Sequence, residues 1–119
     1  MANALTNNAK NVMLDALGTA ATWGGLHTAD PGTTGASEVS GGSPAYARKA
    51  LSWAAASAGS KALQATFPVF DVPACTVAYV GMWSQQATGG TYYGHWDVTD
   101  EVFAGQGTYT VTSGSVSIT

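Results

Sequence analysis

Two histidines and a few carboxylates are the groups in this 119-residue chain with the most obvious chemical potential. His27 precedes Asp30 by one turn of chain, and His95 stands close before Asp97. Either pair could begin a metal site. Zinc, however, takes three or four ligands in fixed geometry. Most of the chain separates the two pairs, and no Cys or Glu cluster completes either one. The sequence therefore predicts no metal, and both imidazoles are expected to form hydrogen bonds at strand ends. Ser40 or Ser43 could be drawn with His27 and Asp30 as a hydrolytic triad. No Gly-x-Ser-x-Gly elbow presents a nucleophile, and serine in a Gly-rich stretch is ordinary turn chemistry. Gly41-Gly42-Ser43 fails as a phosphate cradle, because it leads through Pro44-Ala45-Tyr46-Ala47-Arg48-Lys49 into a strand rather than a helix. No catalytic residue and no cofactor is expected.

Aromatic residues offer a different chemistry. Trp83, Tyr92, Tyr93 and Trp96 fall on neighbouring predicted strands and could stack on sugar rings. Alternation puts Tyr93 and His95 on the face opposite Tyr92 and Trp96. One pair then packs inside, and the other, Tyr93 with His95, is the candidate glycan contact. Core or interface packing is the more ordinary use of such aromatics.

Composition narrows the partners. Charged residues make up 9% of the chain, against about a quarter in an average protein. The four basic residues are Lys10, Arg48, Lys49 and Lys61. They cannot line a phosphate backbone, so nucleic acid is not an expected partner. No segment is apolar and long enough to span a membrane, and no secretory signal pattern opens the chain. Cys75 is the single cysteine; in its apolar run it reads as a small hydrophobe. A surface this poor in charge suits a molecule held in an assembly.

The elements that must position these residues form one domain, 1–119. Leu5, Ala9, Val12 and Ala16, widened by Met13 and Leu17, have helical period. The helix is expected within 1–18, capped by Asn3 or Thr6 and ended at Gly18. Beyond it the period is two. Alternation runs through Ala47–Ala55, Thr91–Val98, Thr108–Thr112 and Val116–Ile118. The run Cys75–Trp83 is apolar on both faces, as a central strand would be. Gly89-Gly90 marks a hairpin, and Pro68 and Pro73 confine Phe70 to an edge strand. The fold class is mainly β: an antiparallel, jelly-roll-like sandwich over 19–119 with one N-terminal helix.

A long ordered loop at about 28–46 stands out. Asp30-Pro31-Gly32 is turn chemistry, and a Glu38–Arg48 pair at the surface is expected to anchor the loop. Asp30, Glu38, Val39, Tyr46 and Arg48 are the candidate partner interface. Docking is expected through this loop, through the helix face bearing Asn7, Asn8, Lys10 and Asn11, or both, over a rigid core. Removing 33–42 should then spare folding and abolish incorporation.

The segments HTADPGTTGASEVSGGSPAYARKA and TFPVFDVPACTVAYVGMWSQQATGGTYYGHW resemble a family of small bacteriophage virion proteins, the tail-fibre or minor structural proteins of phages of actinobacteria and other hosts. The resemblance spans nearly the whole chain and implies a structural role with no catalytic set. It implies a place in the virion, assembled in the host bacterial cytoplasm, in many copies or as a homo-oligomer. The expected partners are the major capsid protein or tail proteins. With no heptads, collagen repeat or shaft, the compact chain reads first as a capsid decoration or minor capsid protein. The alternative is a minor tail or tail-fibre-associated protein that contacts host glycan.

Overall fold

A computed structural model describes residues 4–118. The first element is helix α1, Asn7–Ala20. Thr6 caps it: its backbone is extended and its Oγ1 accepts the Ala9 N–H at 3.2 Å, satisfying one of the donors a helix start leaves free. Asn3, the other candidate cap, lies outside the described residues. Gly18 does not end the helix, which continues until the Ala21 N–H bonds Leu17 O at 2.7 Å. Glycine is needed there for a lateral reason. The Lys61 side chain crosses the helix at Gly18, where a methyl group would collide with Lys61 Cε. Lys61 is buried, and its Nζ donates to Asp15 Oδ1 at 2.7 Å and Ala54 O at 2.8 Å.

Only the Leu17 margin of the expected apolar stripe meets the core; the helix is turned so that Leu14, outside that stripe, is buried. Leu14 is its buried residue and Leu17 packs against the core. Asn11 Oδ1 accepts the Gly59 N–H at 3.0 Å, and Lys10 lies along the same turn. The side read as polar and free is thus partly spent on the backbone of that turn. Leu5, Val12 and Met13, by contrast, are 48%, 70% and 49% exposed.

Eight strands follow: β1 Trp23–His27, β2 Lys49–Ala50, β3 Ser60–Ala62, β4 Val69–Val72, β5 Cys75–Trp83, β6 Tyr92–Phe103, β7 Gly107–Thr110 and β8 Ser115–Ser117. All pairings are antiparallel, in one sheet of order β2-β1-β5-β6 and two strand pairs, β3–β8 and β4–β7. The fold is mainly β with one helix, as its sequence pattern predicts. The expected strand through Ala47–Ala55 shrinks to β2 and a bridge from Trp53 to Leu63; the Ala54–Ala56 run has little side chain to pack on a pleated surface. The central strand β5 is largely buried along its length. Leu26 of β1 and Val77, Val80 and Met82 of β5 share one core cluster with Phe70 and Val72 of β4.

The strand at the end of the sheet, β6, is irregular in two places. Val77 lies opposite Glu101 and Tyr79 opposite Asp97, so Val98–Asp100 bulge out against Ala78 alone. Further along, Met82 pairs with Gly94 and Trp83 with Tyr92, which leaves Tyr93 as an extra residue. One extra residue transfers everything beyond it to the other face. Tyr92 therefore shares a face with His95, contrary to simple alternation.

Candidate functional site

The sheet face away from the core cluster carries His27, Gly81, Trp83, Tyr92 and His95, and the 28–46 loop folds over it. The loop enters through an Asx turn. Gly32 takes a φ of 61°, and its N–H donates to Asp30 Oδ1 at 2.8 Å. Further on, the Thr28 N–H bonds Ser37 O at 3.0 Å and the Val39 N–H bonds Leu26 O at 2.9 Å. These bonds run the second half of the loop beside β1 and bring Glu38 over the sheet.

Arg48 organises the next layer. Its Nε and Nη2 each donate to Glu38 across 2.9 Å, one to each carboxylate oxygen. Its Nη1 reaches the carbonyls of Gln85, Ala87 and Gly89 at 2.9–3.0 Å. The guanidinium carbon also sits 3.7 Å from the centre of the Trp83 ring, a cation–π arrangement. Tyr46 OH donates to Glu38 Oε2 at 2.7 Å and accepts the Leu26 N–H at 2.9 Å. Burial alone would raise the Glu38 carboxyl, but the hydrogen bonds from Arg48 and Tyr46 outweigh it and hold the group below the usual carboxylate range. Burial, then the neighbouring Glu38, pushes the Tyr46 phenol far up, so it remains a donor. The Glu38–Arg48 pair exists as the sequence predicts, but Arg48 is 3% exposed rather than a surface group.

His27 is fully buried at the end of β1. Its Nδ1 lies 2.8 Å from Ala36 O; a carbonyl can only accept, so Nδ1 carries the proton. Nε2 packs against Gly81, where any side chain would strike the ring. Burial depresses the His27 pKa, and the bond to Ala36 only partly offsets that. Asp30 does not pair with His27. It faces His95 instead, with Oδ1 3.6 Å from Nε2, while His95 Nδ1 and Tyr92 OH are 2.6 Å apart. Tyr92 OH also donates to Gly32 O at 3.3 Å.

The chain Asp30–His95–Tyr92 has the outline of a catalytic relay but ends on a phenol. Burial and the Asp30 charge raise that phenol's pKa, the reverse of what activates a nucleophile. Its effect is to fasten the loop to β6. Among the described residues, no group of three or more His, Cys, Asp or Glu is placed to hold a metal ion. The Ser–His27–Asp30 triad is not assembled.

Of the five residues expected to meet a partner, Val39 and Arg48 are buried and Glu38 and Tyr46 are tied into the same network, leaving Asp30 exposed. Tyr93 is 40% exposed, and His95 is partly covered and already bonded. Sequence reasoning missed Trp83 and the carbonyls at 85–89 as partners of Arg48; the Gly89-Gly90 hairpin signal marked the place but not the contact. Two open clefts stand out among the described residues. One of about 570 Å³ lies beside Glu38, Tyr46 and Arg48. The other, about 920 Å³, runs between residues 96–101 and 109–115 and carries Asp97, Asp100 and Glu101 with Trp96 and Tyr109.

A protein-family model described as Podophage GP4 fiber I protein gp80 matches residues 1–119. No curated protein and no solved structure matches the chain.

Proposed function

The chain belongs to the Podophage GP4 fiber I protein gp80 family, and from that premise we propose that it is a non-enzymatic structural subunit of a phage tail fibre. The match over the whole chain carries this reading. It favours the tail over the capsid surface that compactness and low charge first indicated. The lack of heptads or a shaft describes this domain and not the fibre it joins, because a fibre can carry compact modules. A non-enzymatic role is supported by the site. Its titratable groups are consumed in holding the loop, and its best-placed phenol is held protonated. The subunit associates with other virion proteins during assembly in the host cytoplasm. Labelling the protein and counting its copies in purified particles tests the placement. A handful of copies at the tail is expected; hundreds over the capsid would overturn it.

A second reading, contact with host surface glycan, is favoured by the 40% exposure of Tyr93, which its extra position in β6 leaves outside the regular pairing. Titration with host envelope polysaccharide tests it. Saturable binding that Tyr93→Ala weakens is expected, and no binding at millimolar ligand removes the reading.

A further inference from the structure

The tip of the 28–46 loop forms a thin cover over the sheet. Its neck is a short hairpin: His27 bridges Glu38, the Thr28 N–H bonds Ser37 O, and the Val39 N–H bonds Leu26 O. Beyond the neck, the Gly35 and Ala36 N–H groups both turn back onto Pro31 O at 3.1 Å, so the tip closes on itself. It buries little. Pro31 is covered and Gly35 half-buried, while Asp30, Gly32, Thr33, Thr34 and Ala36 are exposed. Segments with so few buried contacts open locally before the fold as a whole gives way. Gly35 lies against Trp83 and Tyr92, where a methyl group would strike both rings. Tyr92 OH holds Gly32 O, and His27 Nδ1 holds Ala36 O.

His27 keeps this hold only while neutral. Nδ1 already carries a proton, so a second would go to Nε2. Among the described residues nothing bonds Nε2, and the Gly81 backbone closes on it: a Cβ at Gly81 would lie 2.5 Å from Nε2. Trp83 Nε1, a second donor buried without a partner, would lie 3.2 Å from the same Cβ. An Nε2–H would thus be a buried charge with no acceptor, which is costly. Glu38 on the neck attracts a charge on His27, but Arg48, its bidentate partner, repels it, and so does His95 on β6. The other titratable neighbours, Tyr79 opposite on β5, Tyr92 on β6 and Tyr46, have raised pKa values and remain neutral phenols.

We propose that residues 29–36 are an acid-released lid: a proton on His27 Nε2 drives the ring from its site, Ala36 O loses its donor, and the lid peels from that side to uncover Trp83 and Tyr92. The neck, with Glu38 on Arg48, stays closed. His95 makes the release one-sided. Its Nε2 faces Asp30 across 3.6 Å, so a proton there meets a carboxylate, and the Asp30 corner serves as the pivot. One proton couples to the opening. The open fraction therefore rises up to tenfold per pH unit downward from about 6.5, the ordinary value of a free imidazole. The lid does not depend on the fibre reading.

Hydrogen exchange followed by NMR on the full chain tests this between pH 8 and 4.5, each rate being divided by that of a free indole or amide at the same pH. Protection of the Trp83 Nε1–H should fall about tenfold from pH 6.5 to 5.5, while the Val80 amide in β5 keeps its protection. In His27→Asn, which keeps a donor for Ala36 O and gains no charge, Trp83 protection should not vary with pH. Tyr92→Phe, which removes the bond to Gly32 O, should lower protection by one factor at every pH and leave the slope unchanged. Constant Trp83 protection in the wild type overturns the proposal. So does a His27 ring that titrates while Trp83 stays protected, or a slope that survives in His27→Asn. Parallel loss at Trp83 and Val80 would show global unfolding and overturn it too. The wild-type comparison of these two sites decides the matter even where His27→Asn does not fold.

Discussion

Arg48 grips Glu38 with a two-pronged pair of hydrogen bonds, both 2.9 Å long, while itself only 3% exposed. The geometry is the fork-to-fork match that makes arginine specific for carboxylates. The same guanidinium holds three carbonyls of the 85–89 loop. Three stretches distant in sequence therefore meet at one side chain.

Arg48→Ala should cost about 3–5 kcal/mol, the usual loss when one partner of a buried pair is removed. Arg48→Lys should recover little, because an ammonium cannot bond the carboxylate and the carbonyls in the same plane. Urea denaturation followed by tryptophan fluorescence measures both. A loss under about 1 kcal/mol, the range of exposed pairs, would show that the network is not a stabilising unit.

Stability should fall with acidity in two stages. His27 has a depressed pKa in the fold, so the unfolded chain takes up that proton more readily. Its contribution is complete above the unfolded pKa of about 6.5 and is lost as pH drops from there toward the folded value. Glu38, also depressed, contributes fully above about 4.3 and is lost below. His27→Asn, which keeps a donor for Ala36 O, should flatten the upper stage and spare the lower. Unfolding curves collected between pH 3 and 8 test this; an unchanged slope below pH 6.5 in the variant would refute the assignment to His27.

Gly18→Ala sets two effects against each other. Alanine in a helix interior is favoured over glycine by about 1 kcal/mol. Here the added methyl would strike the Lys61 side chain, whose head is held by Asp15 and Ala54. Overpacking of this kind costs about 1–3 kcal/mol, so the variant should be less stable. In a Lys61→Ala background the same change should become stabilising. Additive effects across this double-mutant cycle would dismiss the steric account.

Deleting residues 33–42 behind a short Gly linker should abolish cooperative thermal melting. The deletion removes Glu38 and the buried Val39 and uncovers His27 and Trp83. A cooperative transition near the wild-type temperature would restore the loop to the role of a dispensable appendage.

The strands were legible where period and punctuation agreed. The apolar run into Trp83, the Gly89-Gly90 hairpin and the prolines around Phe70 each lead to the element found. The loop's length and the Glu38–Arg48 pair were legible too, since opposite charges are rare in this chain. Their burial was not, because nothing local marks which loop lies over a sheet. Tyr92 was placed on the wrong face because an extra residue in a strand leaves no mark on the alternation of its neighbours. The helix failed for a similar reason. Its stripe is a true amphipathic signal, but periodicity says only that a face is apolar and not what covers it. Gly18 takes its meaning from Lys61, more than forty positions away.

The bulge at Val98–Asp100 and the carboxylates of Asp97, Asp100 and Glu101 shape the free side of β6. A strand of this length, left flat and neutral, would invite a neighbouring molecule to continue the sheet. Here two copies brought flank to flank meet as kinked ribbons of like charge. The kink and the like charges both oppose continuation of the sheet from one copy into another.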